Sequence, residues 1–340
     1  MSRYYSHGKF LLTGEYLVLK GALALALPLK LGQSLSVETF PETAPNEIIA
    51  SSETFQETSL QWNAHKPEGP WFSVTINPKT LEIIDCNDQH KAEKLAQILK
   101  AIQQLNPKAF VGNNLKFTTR LDFDPNWGLG SSSTLIANLA RWADVNPYEL
   151  LKLTFGGSGY DIACATTEGP IYYQLVDRET ASMDCFVPRN DAKRLSVLTP
   201  NVQPIDFQPS FADHLFFIYQ GQKQSSSKEI KAFLEKANPI DLQKDIDAVS
   251  EISRAVPKCQ NLDEFGLLMQ CHERIISRCI GQEPVQKRFP DFEGTLKSLG
   301  AWGGDFILAA TEWAENQVKE YFKGKGLEVV FGYKEIVLNE

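Results

Sequence analysis

The run Gly128-Leu129-Gly130-Ser131-Ser132-Ser133 joins two glycines to three consecutive hydroxyls. Ahead of a helix, such a run leaves backbone N–H groups and the positive end of the helix dipole open to an anion, and glycine lets a phosphate come close to the backbone. One of the hydroxyls also suits Mg2+. The same residues equally make a tight turn with a Ser N-cap. The run is not a Walker A loop, since the chain has no G-x-x-x-x-G-K-[ST] sequence, and Ser133 stands at the last glycine position of a dinucleotide fingerprint. A second turn, Gly156-Gly157-Ser158-Gly159-Tyr160-Asp161-Ile162-Ala163, sets one carboxylate directly after flexible backbone. Asp161 there either takes or orients a hydroxyl proton, or simply caps a turn. Lys9, beside Gly8, is either a solvated charge or the cation that keeps such a carboxylate ionised. A third turn, Gly300-Ala301-Trp302-Gly303-Gly304-Asp305, feeds an apolar stretch and either closes over phosphates or turns a corner. Three glycine turns, one with Ser donors and one with Asp, exceed what a purely structural protein needs.

The elements that must hold these residues follow from periodicity. From Phe10 to Val37, short and alternating apolar runs broken by Gly14, Gly21 and Pro28 predict strands, so the chain opens with β structure. Thr39 to Pro70 is polar and suits hairpin edges and surface loops. Asp88 to Leu105 places Leu95, Ile98, Leu99, Ile102 and Leu105 at helical spacing, with Asp88 as cap and Pro107 beyond the end. Leu115 to Leu121 alternates as a strand and runs into the Gly128 loop and a helix. Asn146-Pro147 starts a short helix to about Leu153. After a fresh strand at Leu215, helices are expected over 225–237, 240–256 and 261–280. A helix through Thr295, a strand Phe306–Ala310, a helix 311–323 and a strand 327–331 complete the chain. Strands and helices mix without a regular βαβα repeat, which fits α+β.

Composition bounds the rest. The 340 residues, 43% hydrophobic and 22% charged, favour two domains or one large one and exclude wholesale disorder, collagen and coiled coil. A net charge of -8 gives no global field for nucleic acid or an anionic membrane. With no apolar stretch of spanning length, a soluble cytoplasmic protein is expected. The 6 Cys contain no C-x-x-C pair, and Cys271-His272 with Cys279 lacks a second half, so reduced, mostly buried thiols are expected rather than zinc.

Taken in order, Gly8-Lys9-Phe10-Leu11-Leu12-Thr13-Gly14-Glu15-Tyr16, Gly128 to Ser133, Ser158 to Ala163 and Gly300 to Asp305 resemble the motifs of the GHMP kinases. The resemblance covers nearly the whole chain in motif order. It implies an α+β, two-lobed fold, with an N-terminal lobe like ribosomal protein S5 domain 2 over 1–207 and a ferredoxin-like C-terminal lobe over 208–340. It further implies ATP phosphates on Gly128, Leu129, Gly130, Ser131, Ser132 and Ser133, with Ser132 as the hydroxyl ligand of Mg2+. Asp161 would be the catalytic carboxylate and Lys9 its partner; Glu15, Tyr16, Ser158, Gly303 and Gly304 would lie at the phosphoryl acceptor. Gly-Glu-Tyr, Ser-Gly-Tyr-Asp and Gly-Gly-Asp look closest to mevalonate-pathway members, phosphomevalonate kinase above all, which implies a small hydroxyl or anionic substrate. Three departures from the pattern stand out. Ser6-His7 replaces the usual Ala-Pro, Trp302 replaces a glycine, and Glu149 is the sole nearby candidate for an acidic Mg2+ ligand. Gln222 to Ser226 is a further candidate for substrate contact or a solvated loop. Nucleic acid and membrane are not expected partners, and a homodimer is left open. A decarboxylase of the diphosphomevalonate type, a catalytically silent regulatory relative and a metabolite-binding protein without ATP are the rival readings.

Overall fold

Two-residue alternation in the opening segment builds strands, as expected. The structure is a computed structural model describing residues 1–40, 59–110, 114–177, 198–221, 233, 239–300, 302 and 305–339. β1 (Ser2–Thr13) buries Ser6, Gly8 and Phe10 and leaves His7 and Lys9 half-buried between them. β2 (Ala24–Phe40) carries the Ala-Leu alternation and pairs with β1.

Contacts divide the chain into two compact units of interleaved segments. The first takes residues 1–8, 31–125 and 130–157; the second takes 9–30, 126–129 and 158–340. The division does not follow a single cut along the chain, and the 1–207 and 208–340 lobes remain a proposal.

In the first unit, the second half of β2 pairs antiparallel with β6 (Asn114–Leu121), Gln33 opposite Leu121 and Phe40 opposite Asn114. β6 runs parallel to β3 (Leu60–Lys66), which continues antiparallel through β4 (Gly69–Ile76) to β5 (Ile83–Cys86). The helix α1 (Gln89–Leu105) starts where expected, its Lys91 N–H bonded at 3.0 Å to the Asp88 side chain, and buries Leu95, Ile98, Leu99 and Ile102. α2 (Ser131–Ala143) follows the glycine loop, and α3 (Pro147–Thr154) begins with Asn146 as cap and Pro147 in its first turn.

In the second unit, the first half of β2 pairs with β7 (Ile171–Asp177), and β7 with β8 (Leu198–Pro204). α4 (Tyr160–Thr166) precedes β7, and its buried Ala163 and Cys164 pack with Leu11, Ala24 and Tyr173. A second, antiparallel sheet has the order β10 (Thr295–Leu299), β11 (Phe306–Ala310), β9 (Leu215–Tyr219), β12 (Val330–Gly332). The helices α5 (Pro239–Ala255) and α6 (Leu262–Ile280) lie between β9 and β10 in sequence, and α7 (Glu315–Gly324) lies between β11 and β12. With β9 and β11 central, this is the ferredoxin-like arrangement. Its core joins Phe216, Ile218, Phe289, Phe292, Ile307 and Phe322.

Two expectations are corrected. There is no helix through Thr295. Gly281 ends α6 in a left-handed conformation, Pro284 and Pro290 break any continuation, and a short 3-10 turn (Val285–Arg288) leads to the buried strand β10. Among the described residues the thiols are not mostly buried either; Cys185 lies outside them. Cys164 is buried, Cys86, Cys259 and Cys279 are half-buried, Cys271 is exposed, and all five are free. The expected helix over 225–237 lies outside the described residues except for Phe233, as does Gln222 to Ser226.

Candidate functional site

β1 carries Lys9 into the second unit, where the Lys9 N–H donates to the Leu129 carbonyl at 3.0 Å and so ties the strand to the turn at Gly128. The Lys9 Nζ lies 5.7 Å from the centre of the Tyr160 ring. Tyr160 and Asp161 form the first turn of α4, which the chain enters through Gly159. The half-buried Ser158 sits one residue earlier, and its carbonyl accepts from the Tyr173 hydroxyl. Burial works against the Lys9 ammonium, but Tyr160, Asp305 and Asp161 outweigh it and raise its pKa. Burial pushes the Tyr160 hydroxyl up to about 12, with Lys9 opposing and Asp161 adding to the rise. At neutral pH Lys9 is therefore a cation beside a neutral phenol, and the negative charge around it belongs to Asp161 and Asp305.

Asp305 was not singled out by the sequence, although it closes the third glycine turn. Its residue is 6% exposed. A Cβ on Gly128 (φ +73°) would come 2.8 Å from both Cγ and Oδ1 of Asp305, and one on Gly300 (φ +70°) 2.8 Å from Oδ2. The carboxylate thus rests on the backbones of two turns distant in sequence. Gly128 is glycine for that reason, and the space above its Cα holds a carboxylate rather than open solvent. Leu129 is buried, so it offers only backbone. Gly303 and Gly304 lie outside the described residues.

In the first unit, Gly130 (φ +99°) is the N-cap of α2 and no side chain caps the helix, so the Ser N-cap alternative is not what the chain adopts. The Ser133 hydroxyl is committed to the Gly130 carbonyl at 2.9 Å, while Ser131 is half-buried and Ser132 exposed. The first-turn N–H groups with Ser131 and Ser132 have the chemistry to hold a phosphate, and the exposed Ser132 hydroxyl suits a divalent cation. Glu149 is exposed in the first turn of α3. Among the described residues no three His, Cys, Asp or Glu side chains gather as a metal site.

Glu15 and Tyr16 occupy the interior of the second unit. Glu15, 2% exposed, pairs through Oε1 with the fully buried Lys297, and its Oε2 lies 3.3 Å from His272 Nε2. That nitrogen accepts the Gly14 N–H at 2.9 Å, so the His272 proton sits on Nδ1. Burial raises Glu15 to about 7 against the pull of Lys297, and burial with Lys297 holds His272 well below its usual range. Tyr16 (φ 60°) accepts the Trp302 N–H at 3.4 Å and packs with Trp302, Phe233, Val249 and Ile276. The departure at Trp302 is thereby a core residue. As placed, Glu15 is engaged by Lys297 and His272 and Tyr16 packs in the core, and contact with an acceptor would require them to be uncovered.

No protein-family model matches the sequence, and no curated protein matches it. Solved structures do match in three dimensions. L. major mevalonate kinase in complex with R-mevalonate superimposes with a TM-score of 0.64 at 16% identity, over 100% of this chain and 97% of that one. Streptococcus pneumoniae phosphomevalonate kinase in complex with phosphomevalonate and AMPPNP gives 0.64 at 14%, over 98% and 100%. A D-glycero-D-manno-heptose 1-phosphate kinase from Bacteriodes thetaiotaomicron gives 0.60 at 16%, over 98% and 95%. The fold is that of the GHMP kinases. Within this GHMP kinase fold, the first and third motifs of the sequence meet through Lys9 and Tyr160, the first meets the second through the Lys9 N–H and the Leu129 carbonyl, and the fourth meets the second where Asp305 lies against Gly128. Among the described residues, no helix is long and apolar enough to cross a membrane.

Proposed function

We propose that the chain is an ATP-dependent phosphotransferase that moves the γ-phosphoryl group onto a small acceptor of the mevalonate or phosphomevalonate kind, in isoprenoid precursor synthesis in the cytoplasm. The observation that carries this reading is the approach of the Lys9 ammonium, 5.7 Å from the Tyr160 ring, to the first turn of α4, which carries Asp161 directly after Tyr160. An ammonium beside a carboxylate favours its ionised form, so Asp161 is held as a base. For a hydroxyl acceptor, Asp161 takes the proton as the oxygen attacks; for a phosphate acceptor no proton need leave, and Asp161 and Lys9 act by position and charge. The N–H groups of Gly130 to Ser133 hold phosphate oxygens, and Ser132 offers its hydroxyl to Mg2+, which when bound neutralises phosphate charge. Acceptors of different kinds appear among the proteins of this fold, and the anionic class is favoured here by the motif resemblance.

The variant Asp161→Asn keeps the shape of the side chain and removes the base. Turnover with Mg-ATP and acceptor should fall by about 100-fold or more while nucleotide binding persists. Undiminished turnover would overturn the assignment.

A further inference from the structure

Asp305 has no part in the reaction as just described, yet it is built into the site more firmly than any other charged group there. Its carboxylate is almost wholly buried, and Gly128 and Gly300 both leave out a side chain where it lies. A carboxylate in such a place is retained when a cation answers it. Lys9 is tied to the same turn, its N–H donating to the Leu129 carbonyl at 3.0 Å beside Gly128, and its ammonium is stabilised by the charges of Asp305 at the head of β11 and Asp161 at the head of α4. Asp305 is also tied through its own main chain, whose carbonyl accepts the Gln220 N–H at 2.9 Å at the end of β9. The head of β11 is therefore fixed by the sheet, and the carboxylate is a rigid post.

We propose that Asp305 is a positioning residue for phosphoryl transfer, which fixes the Lys9 ammonium and the Gly128 turn against Asp161 and itself takes no proton. The proposal rests on the phosphotransferase reading. With one carboxylate fixed on the sheet, Lys9 cannot collapse wholly onto Asp161, and Asp161 keeps lone pairs for the acceptor. Near-perfect alignment of reacting groups is where phosphoryl-transfer enzymes gain most of their rate, so a loosened Lys9 should appear in kcat before KM.

The test is Asp305→Asn, which preserves size against the two glycines and removes the charge. With the full chain and Mg-ATP, kcat should fall tenfold or more and KM for ATP should change less than threefold. A second readout needs no turnover: mass-spectrometric rates of trinitrobenzenesulfonate modification at pH 9, for Lys9 relative to the exposed Lys100. In the wild type Lys9 should react at least tenfold more slowly than Lys100, and Asp305→Asn should accelerate Lys9 severalfold while leaving Lys100 unchanged. Equal rates at the two lysines in the wild type would overturn the proposal even if the variant does not fold. Unchanged Lys9 reactivity in a folded variant would overturn it whatever happens to kcat, and so would an unchanged kcat. A wild type inactive toward every acceptor would contradict the phosphotransferase reading instead, and Lys9 reactivity would still decide whether Asp305 holds the ammonium.

Discussion

Lys297, at the middle of β10, reaches Glu15 across 282 positions of sequence, and both side chains are shut off from solvent. The Lys297 ammonium also donates to the Ser298 carbonyl at 2.8 Å, and Glu273 beside it accepts from the Ser298 N–H at 3.1 Å and hydroxyl at 3.0 Å. Breaking one side of a buried ion pair leaves a bare charge. Lys297→Met should therefore lower stability by about 3–5 kcal/mol, and adding Glu15→Gln should restore part of the loss. Urea unfolding of the three proteins checks this; a loss below about 1 kcal/mol in the single variant would contradict the pairing.

His272 accepts the Gly14 N–H and is held neutral, so its pKa in the folded chain lies below its ordinary 6.5. The unfolded chain binds a proton there as pH falls below 6.5 and the folded chain does not, so this contribution to stability is present at higher pH and lost on acidification. Glu15 works in the opposite sense, its raised pKa costing stability as pH climbs from about 4.5 to about 7, and it is present in both proteins compared. The stability of wild type minus that of His272→Gln should be level above about pH 7.5 and fall by about 1 kcal/mol between pH 6 and pH 5. Denaturant titrations across that range check it, and a flat difference would contradict a neutral buried His272.

Gly128→Ala forces a side chain into a left-handed backbone and into the Asp305 carboxylate. The conformation alone costs about 1–2 kcal/mol, and the 2.8 Å approach adds to it. Combined with Asp305→Ala the loss should be clearly less than the sum of the single losses. Additive losses in thermal unfolding would contradict the contact.

Trp302 replaces a glycine of the resembled pattern, yet it is buried among Tyr16, Phe233, Ile246 and Ile276. Trp302→Gly should cost about 3–5 kcal/mol through the cavity it leaves. A stability near wild type would mean that this side chain does not fill the core.

The strands and helices of the first unit were legible because their signals are local: alternation in β2 and β6, the Asp88 cap, the Asn146-Pro147 start. β10 was not: a helix was expected through Thr295, and what makes Lys297 and Ser298 core residues of a strand is Glu15 and Glu273, far away in sequence. The same limit governs the site. Lys9 and Asp161 stand out in the sequence by their motifs, whereas Asp305 passes as one more turn residue, since its burial against Gly128 and Gly300 exists only once the two turns that carry them are folded together. Glu15 shows the converse: a motif position read as an acceptor contact is engaged by a lysine that no local pattern connects to it.

The most direct test of phosphoryl transfer is ADP release by the purified chain with Mg-ATP against mevalonate, phosphomevalonate, diphosphomevalonate, homoserine and galactose, with product masses recorded. Acceptor-dependent ADP release with a product heavier by one phosphoryl group, from mevalonate or phosphomevalonate, is the predicted result. Carbon dioxide release from diphosphomevalonate, or no ADP release with any acceptor despite nucleotide binding, would contradict it.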